Sequence, residues 1–207
     1  MAVLYSFRRC PYAMRARMAL YASGVEYEHR EIILRDKPAS MLAASPKGTV
    51  PVFIKDDSSV IDESLDLALW ALSQNDPKTW LAAFEPDLTA RNDGEFKHHL
   101  DRYKYASRYD ENLPRGAVDL GHREQAESFL IELETRLSKT AYLSGDTQSL
   151  TDITIFPFLR QFAAVEPEWW AVHDYPRVRE WLKTHVESEL FKTIMKKHPL
   201  WDESGAN

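Results

Sequence analysis

The stretch RRCPYAMRARMAL, residues 8–20, decides how this chain reads. It carries the only cysteine, Cys10, directly before Pro11, and it runs on in helix-forming residues towards Gly24. Proline suits the first turn of a helix and glycine the position just past its end. Cys10 therefore stands at a helix start, where backbone N–H groups without a helical acceptor and the positive end of the helix dipole favour an anion. The thiolate is the reactive form of cysteine, and Arg8 and Arg9 add positive charge beside it. The opposite reading is a buried, inert cysteine that packs as a small hydrophobe. A flanking loop, neighbouring arginines and a helix start favour the accessible thiol, which should ionise below the ordinary value of about 8.5.

Outward from that helix, strand-like and helix-like segments alternate. AVLYSF (2–7) reads as a strand before it, EYEHREIIL (26–34) as a strand after it and KPASMLAAS (37–45) as a short helix. VPVFIK (50–55) and SSVID (58–62) form a hairpin around Asp56 and Asp57, and ESLDLALWALSQ (63–74) is helical. The order is βαβαββα, an α/β domain over 1–75. A Pro-punctuated linker, 76–87, follows, and 88–207 reads as an all-helical domain. In HREQAESFLIELETRLSK (122–139), Ala126, Phe129, Leu130, Leu133 and Leu137 share one helix face. SLTDITIFPFLRQF (149–162) opens with Ser149 and Asp152 in a capping-box pattern, and Pro176 starts a further helix in YPRVREWLKTHV (175–186).

Composition narrows the function. With 207 residues, 44% of them hydrophobic and 28% charged, the chain is long enough for a sizeable core and ordinary for a folded protein. A formal charge of -6 without a basic cluster opposes binding to nucleic acid or to an anionic membrane. No export signal or membrane-length apolar run is visible. One cysteine makes no intramolecular disulfide, which fits the reducing cytoplasm. No P-loop, dinucleotide fingerprint, nucleophile elbow or zinc spacing occurs, and no metal is expected. His98 and His99 point roughly 100° apart on a helix, a poor chelating pair, and read as surface residues. Trp169, Trp170 and Trp181 read as core or domain-interface aromatics.

Four motifs together, CPYA (10–13), KGTVPVF (47–53), DES (62–64) and SLTDITIF (149–156), resemble those of the cytosolic glutathione S-transferases over nearly the whole chain. The resemblance implies a thioredoxin-like N-terminal domain, an all-helical C-terminal domain and a homodimer. Cysteine followed by Pro, an aromatic and Ala is most similar to the omega class and its bacterial relatives, which act more as thiol transferases than as conjugating enzymes. Two features depart from that pattern: no extension precedes the first strand, and the polar DESGAN (202–207) leaves the roof of the pocket undecided.

The resemblance also assigns residues. Cys10 is the catalytic thiol. The Val50–Pro51 bond is cis, with the Val50 backbone pairing with the cysteinyl part of glutathione; from the residues alone a trans proline at a strand start is favoured. Glu63 and Ser64 meet the γ-glutamyl ammonium and carboxylate, against a simpler role in helix capping. Lys37, in RDKPAS, meets the glycine carboxylate, or else is a solvated surface lysine. Tyr105, Arg108 and Tyr109, on the first helix of the second domain, line a co-substrate pocket or pack in the core. The expected activity is monothiol exchange with a glutathione mixed disulfide, since Ala13 stands where a second cysteine would resolve the intermediate. Two other activities compete with it. One is a conjugating transferase in which Cys10 or Ser6 only contacts the glutathione thiolate. The other is a non-enzymatic binding protein of the stress-response kind.

Overall fold

The computed structural model describes residues 1–203 and 205. These divide into two compact units, one built from Met1–Leu81 with the described residues from Glu187 on, the other from Ala82–Val186.

In the first unit the expected alternation is present. Strand β1 (Val3–Ser6) leads into helix α1 (Pro11–Ser23), then β2 (Glu28–Glu31), α2 (Ala39–Ala44), β3 (Val52–Ile54), β4 (Val60–Ile61) and α3 (Ser64–Gln74). The sheet order is β2-β1-β3-β4, with β2 parallel to β1 and the other neighbours antiparallel. This is a thioredoxin-like sheet. Leu4 and Tyr5 of β1 and Val52 and Phe53 of β3 are fully buried. Helix α1 packs against α3 and is buried on nearly all sides, closing at Gly24 in the left-handed conformation with φ 73°. Glycine takes that conformation without the steric cost other residues meet.

The second unit contains α4 (Pro86–Arg91), a π turn (Asn92–Phe96), α5 (Lys97–Lys104), a 3-10 turn (Ala106–Arg108), α6 (Leu120–Leu137), α7 (Leu150–Ala163), α8 (Pro167–Val172) and α9 (Pro176–Glu187). The apolar face expected for α6 is buried. Ser149 and Asp152 form the capping box of α7. Asp152 is also fully buried and accepts from Leu143 N–H at 3.0 Å and Trp181 Nε1 at 2.8 Å, so a capping residue doubles as a packing hub. Trp170 and Trp181 are buried, while Trp169 is half-buried against the Phe162 ring.

The C-terminal segment departs from the expected boundary, which assigned everything after residue 88 to the helical domain. Helix α10 (Glu189–Ile194) packs on α1 of the first unit. Leu200 forms a parallel bridge to Glu31, and Trp201 N–H donates to Glu31 O at 2.8 Å, so this segment covers the open edge of β2. Arg30 lies over the Trp201 ring at 4.3 Å and donates to Tyr5 Oη at 2.7 Å. The Glu203 carboxylate caps α2, accepting from Ala39 N–H at 3.0 Å and Ser40 N–H at 2.8 Å. An exposed sheet edge and an uncapped helix are unfavourable, and the tail answers both. Within that tail, Ser204, Ala206 and Asn207 lie outside the described residues, and the expectation about a pocket roof falls partly on them.

Glu31 joins the sheet to the loop before Cys10. Its nearly buried carboxylate accepts from Arg8 N–H at 2.6 Å and lies 3.0 Å from His29 Nε2. Burial opposes its ionisation, but the His29 and Arg8 hydrogen bonds and the Arg17 charge prevail and lower its pKa from 4.5. A carboxylate with a lowered folded-state pKa contributes stability that is complete above the unfolded value and is lost as pH falls through the folded one. Denaturant midpoints followed downward from pH 6 should therefore fall for the wild type. The gap to Glu31→Gln should narrow below about pH 4.5, the ordinary carboxylate value. A gap independent of pH contradicts this role. Trp201→Ala should lower stability by about 2 kcal/mol, since it removes a half-buried aromatic and its cation–π partner. A thermal melt within experimental error of wild type would show that the tail adds nothing.

Candidate functional site

Cys10 is the N-cap of α1, with φ -72° and ψ 124°, followed by Pro11 in the first turn. Its amide donates to Phe7 O at 3.0 Å and its carbonyl accepts from Met14 N–H at 2.9 Å, while its side chain makes no capping bond. The thiol is half-exposed, with Sγ 3.7 Å from Val50 O. Its inner flank rests on the apolar cluster of Tyr5, Ala13, Ile32, Met41, Val50 and Val52. The reading of a fully buried cysteine therefore fails.

Around this loop a further, buried cation joins the expected Arg8 and Arg9. Arg9 lies over the Phe7 ring at 5.5 Å, and Arg8 contributes its amide to Glu31. The cation that organises the loop is Arg17, buried in α1, which donates to Ser6 Oγ, to Phe7 O at 3.4 Å and to Arg8 O at 2.8 Å. Burial lowers its pKa, and the attraction of Glu31, Tyr27 and Cys10 works the other way. Sequence reasoning missed Arg17, although it lies two turns after Cys10 on the same helix face. Arg15, also fully buried, donates to Ser64 Oγ at 3.2 Å and so ties α1 to the start of α3.

The Val50–Pro51 peptide is cis. The loop containing it, residues 45–51, reaches Cys10, Lys37 and Glu63. Val50 O faces Cys10 Sγ at 3.7 Å. Lys37 Nζ lies 3.3 Å from where a Cβ on Gly48 would sit, and Gly48 has φ 63°, so a side chain there would be strained. Lys47 pairs with Glu63 at 2.6 Å and with Asp62 at 3.1 Å, and Ser45 Oγ donates to Asp62 Oδ2 at 2.6 Å. Lys47 was not singled out from the sequence; its signal lies only in its proximity to the cis proline.

Glu63 is the N-cap of α3, but its side chain makes no capping bond and turns outward to Lys47. Ser64 is buried, with its hydroxyl turned in to Arg15. Lys37 is half-exposed, and no carboxylate pairs with it among the described residues. Tyr105, Arg108 and Tyr109 do not lie on a continuous helix as expected. Helix α5 ends at Lys104, Tyr105 is its C-cap at φ -122°, and the 3-10 turn carries Arg108. Arg108 stacks over Tyr105 at 3.9 Å, Gln161 Nε2 donates to Tyr105 Oη at 3.3 Å, and Tyr109 is exposed beneath Arg102 at 4.5 Å.

Residues 4–80 match the glutathione S-transferase N-terminal domain, and residues 79–184 the glutathione S-transferase C-terminal domain. The chain is 28% identical to glutathione S-transferase U28 of Arabidopsis thaliana, over 89% of this chain and 84% of that one. It is 26% identical to glutathione S-transferase omega-1 of Rattus norvegicus, over 90% and 77%. In structure it resembles glutathione transferase F7 of Populus trichocarpa, with a TM-score of 0.78 at 19% identity, covering 95% and 100% of the two chains. The structural likeness shows the shared fold, and the two domain matches show that the chain belongs to the glutathione S-transferase family.

Proposed function

We propose that the protein is a glutathione-dependent thiol transferase with Cys10 as its nucleophile. The observation that carries this is the half-exposed Cys10 Sγ at the N-terminus of α1, in a chain with no second cysteine. The first-turn amides and the dipole of α1 favour the thiolate. The thiolate attacks the glutathione sulfur of a mixed disulfide. A bond forms between Cys10 Sγ and that sulfur, the old disulfide breaks, and the partner leaves as its thiolate. A second glutathione thiolate then attacks the glutathione sulfur of the adduct, forming oxidised glutathione and returning Cys10 as thiolate.

Glutathione sits along the 45–51 loop in this reading. The Val50 backbone pairs with its cysteinyl part beside the cis Pro51. Its γ-glutamyl ammonium meets Glu63, its α-carboxylate meets Lys47 and the amides that open α3, and its glycine carboxylate meets Lys37. Ser64 acts from below, fixing Arg15 and the helix start. Tyr105, Arg108 and Tyr109 form a cationic aromatic surface for the second substrate. A homodimer in the cytoplasm, where the glutathione pool keeps thiols reduced, completes the proposal.

A conjugating transferase needs only a hydrogen bond to the glutathione thiolate. Ser6 does not suit that task, because it is fully buried and accepts from Arg17. A protein kept only for binding partners has no physical need for a half-exposed thiol at a helix N-terminus.

Two measurements test the proposal. Incubation with oxidised glutathione should give a stable Cys10–glutathione adduct by mass spectrometry, which reduced glutathione removes, and Cys10→Ser should lose disulfide exchange. If no adduct forms, or if exchange persists in Cys10→Ser while aryl-halide conjugation is kept, the conjugating reading replaces this one. Glu63→Ala should weaken glutathione binding by about 1.5 kcal/mol, the low end for a hydrogen bond to a charged group, because the carboxylate is exposed. Its melting temperature should move less, since a surface ion pair contributes only about 0–1 kcal/mol. Calorimetry showing unchanged affinity returns Glu63 to a surface role.

A further inference from the structure

Three histidines converge in the second unit, where the sequence offered only the adjacent surface pair His98 and His99. His98 and His99 lie in the first turn of α5, and His122 in the first turn of α6. One ring nitrogen from each lies within 4.8 Å of the other two. The adjacent residues start on different sides of α5, but their rings meet edge-to-face at 5.0 Å, and each also faces His122, at 5.8 and 5.0 Å. The missing element was His122, distant in sequence and brought in by the packing of α6 against α5. Its backbone is fixed, since its amide donates to the N-cap carboxylate of Asp119 at 3.1 Å.

The contacts require lone pairs within the cluster. His99 Nδ1 lies 2.7 Å from His122 Nδ1, so one of the two carries a lone pair there. Arg102 Nη1 lies 3.0 Å from His98 Nδ1 and can only donate, so that nitrogen also carries a lone pair. Neutral imidazoles with available lone pairs are what a borderline divalent cation takes as ligands, whereas magnesium and calcium require oxygen.

We propose that His98, His99 and His122 form a three-imidazole site for a divalent zinc-type cation, with water in the remaining position. Metal–nitrogen bonds of 2.0–2.1 Å in a tetrahedron set ligand nitrogens about 3.4 Å apart. That value falls between the 2.7 Å contact and the 4.8 Å limit found here, so the rings would rotate to close on a cation. The cation would replace the His99–His122 hydrogen bond and the Arg102 contact, and it would tie α5 to α6. Glu95 and Asp119 are carboxylates near the cluster and would partly offset the added charge. This inference does not depend on the chemistry assigned to Cys10.

The test uses the full chain without an affinity tag and with Cys10 alkylated, so that the thiol contributes nothing. Zinc is titrated against a chromophoric chelator, with magnesium as control. One equivalent of zinc should bind, and His99→Gln and His122→Gln should each weaken it at least ~10-fold, since loss of even an outer-shell partner costs that much. Failure of the wild type to bind, or affinity unchanged in both variants, overturns the site. Should a variant misfold, imidazole NMR of the wild type decides. Zinc should shift the resonances of His98, His99 and His122 first, and movement confined to other histidines refutes the proposal.

Discussion

A buried guanidinium sets the terms for the first unit. Arg17 is 2% exposed, and a charge removed from water needs oxygen partners or it destabilises the fold. Those partners come from the end of β1 and the loop after it: the Ser6 hydroxyl and the carbonyls of Phe7 and Arg8. The loop therefore cannot move independently of α1, the helix that Cys10 caps. Glu31 adds a second tie by taking the Arg8 amide, and the tail adds a third by pairing with the Glu31 backbone. Cys10 is held by its loop and its helix together, and none of these ties uses the sulfur.

Across from Cys10, the 45–51 loop plays the matching part. It presents Val50 O to the thiol, passes Lys37 at Gly48 and reaches the Asp62–Glu63 corner through Ser45 and Lys47. The Lys47–Glu63 pair is solvent-exposed and so worth little to stability. A ligand carrying both an ammonium and a carboxylate can exchange with it at low cost. Ser64 and Arg15 are the reverse case, a buried contact that fixes where α3 begins. The corner thus joins a buried contact to an exposed ion pair.

The helical unit shows how one residue serves at two levels. Asp152 completes a local capping box legible within four consecutive residues, 149–152, and also binds Trp181 and Leu143 from other parts of the unit. Local pattern predicted the first role, and only packing supplied the second. The histidine cluster follows the same logic, since a chelating set needs proximity in space and sequence spacing within one helix speaks only for His98 and His99.

Local chemistry reaches the sequence reader directly, because it acts between neighbours in the chain. Pro11 and Gly24 marked the ends of α1, hydrophobic periodicity marked α6, and alternating segments gave the order βαβαββα. Cys10 at a helix start was legible for the same reason. Tertiary structure alone decided that Arg15 and Arg17 turn inward, because an arginine in a helix carries no local signal of which oxygens will reach it. It alone decided that the described residues from Glu187 on belong to the first unit, because an open β2 edge and an uncapped α2 are features of the assembled sheet and not of any short segment. The meeting of Lys37, Val50, Glu63 and Cys10 around one loop belongs there too, since their separation in sequence is closed only by the pairing of β1 with β3 and the packing of α1 on α3.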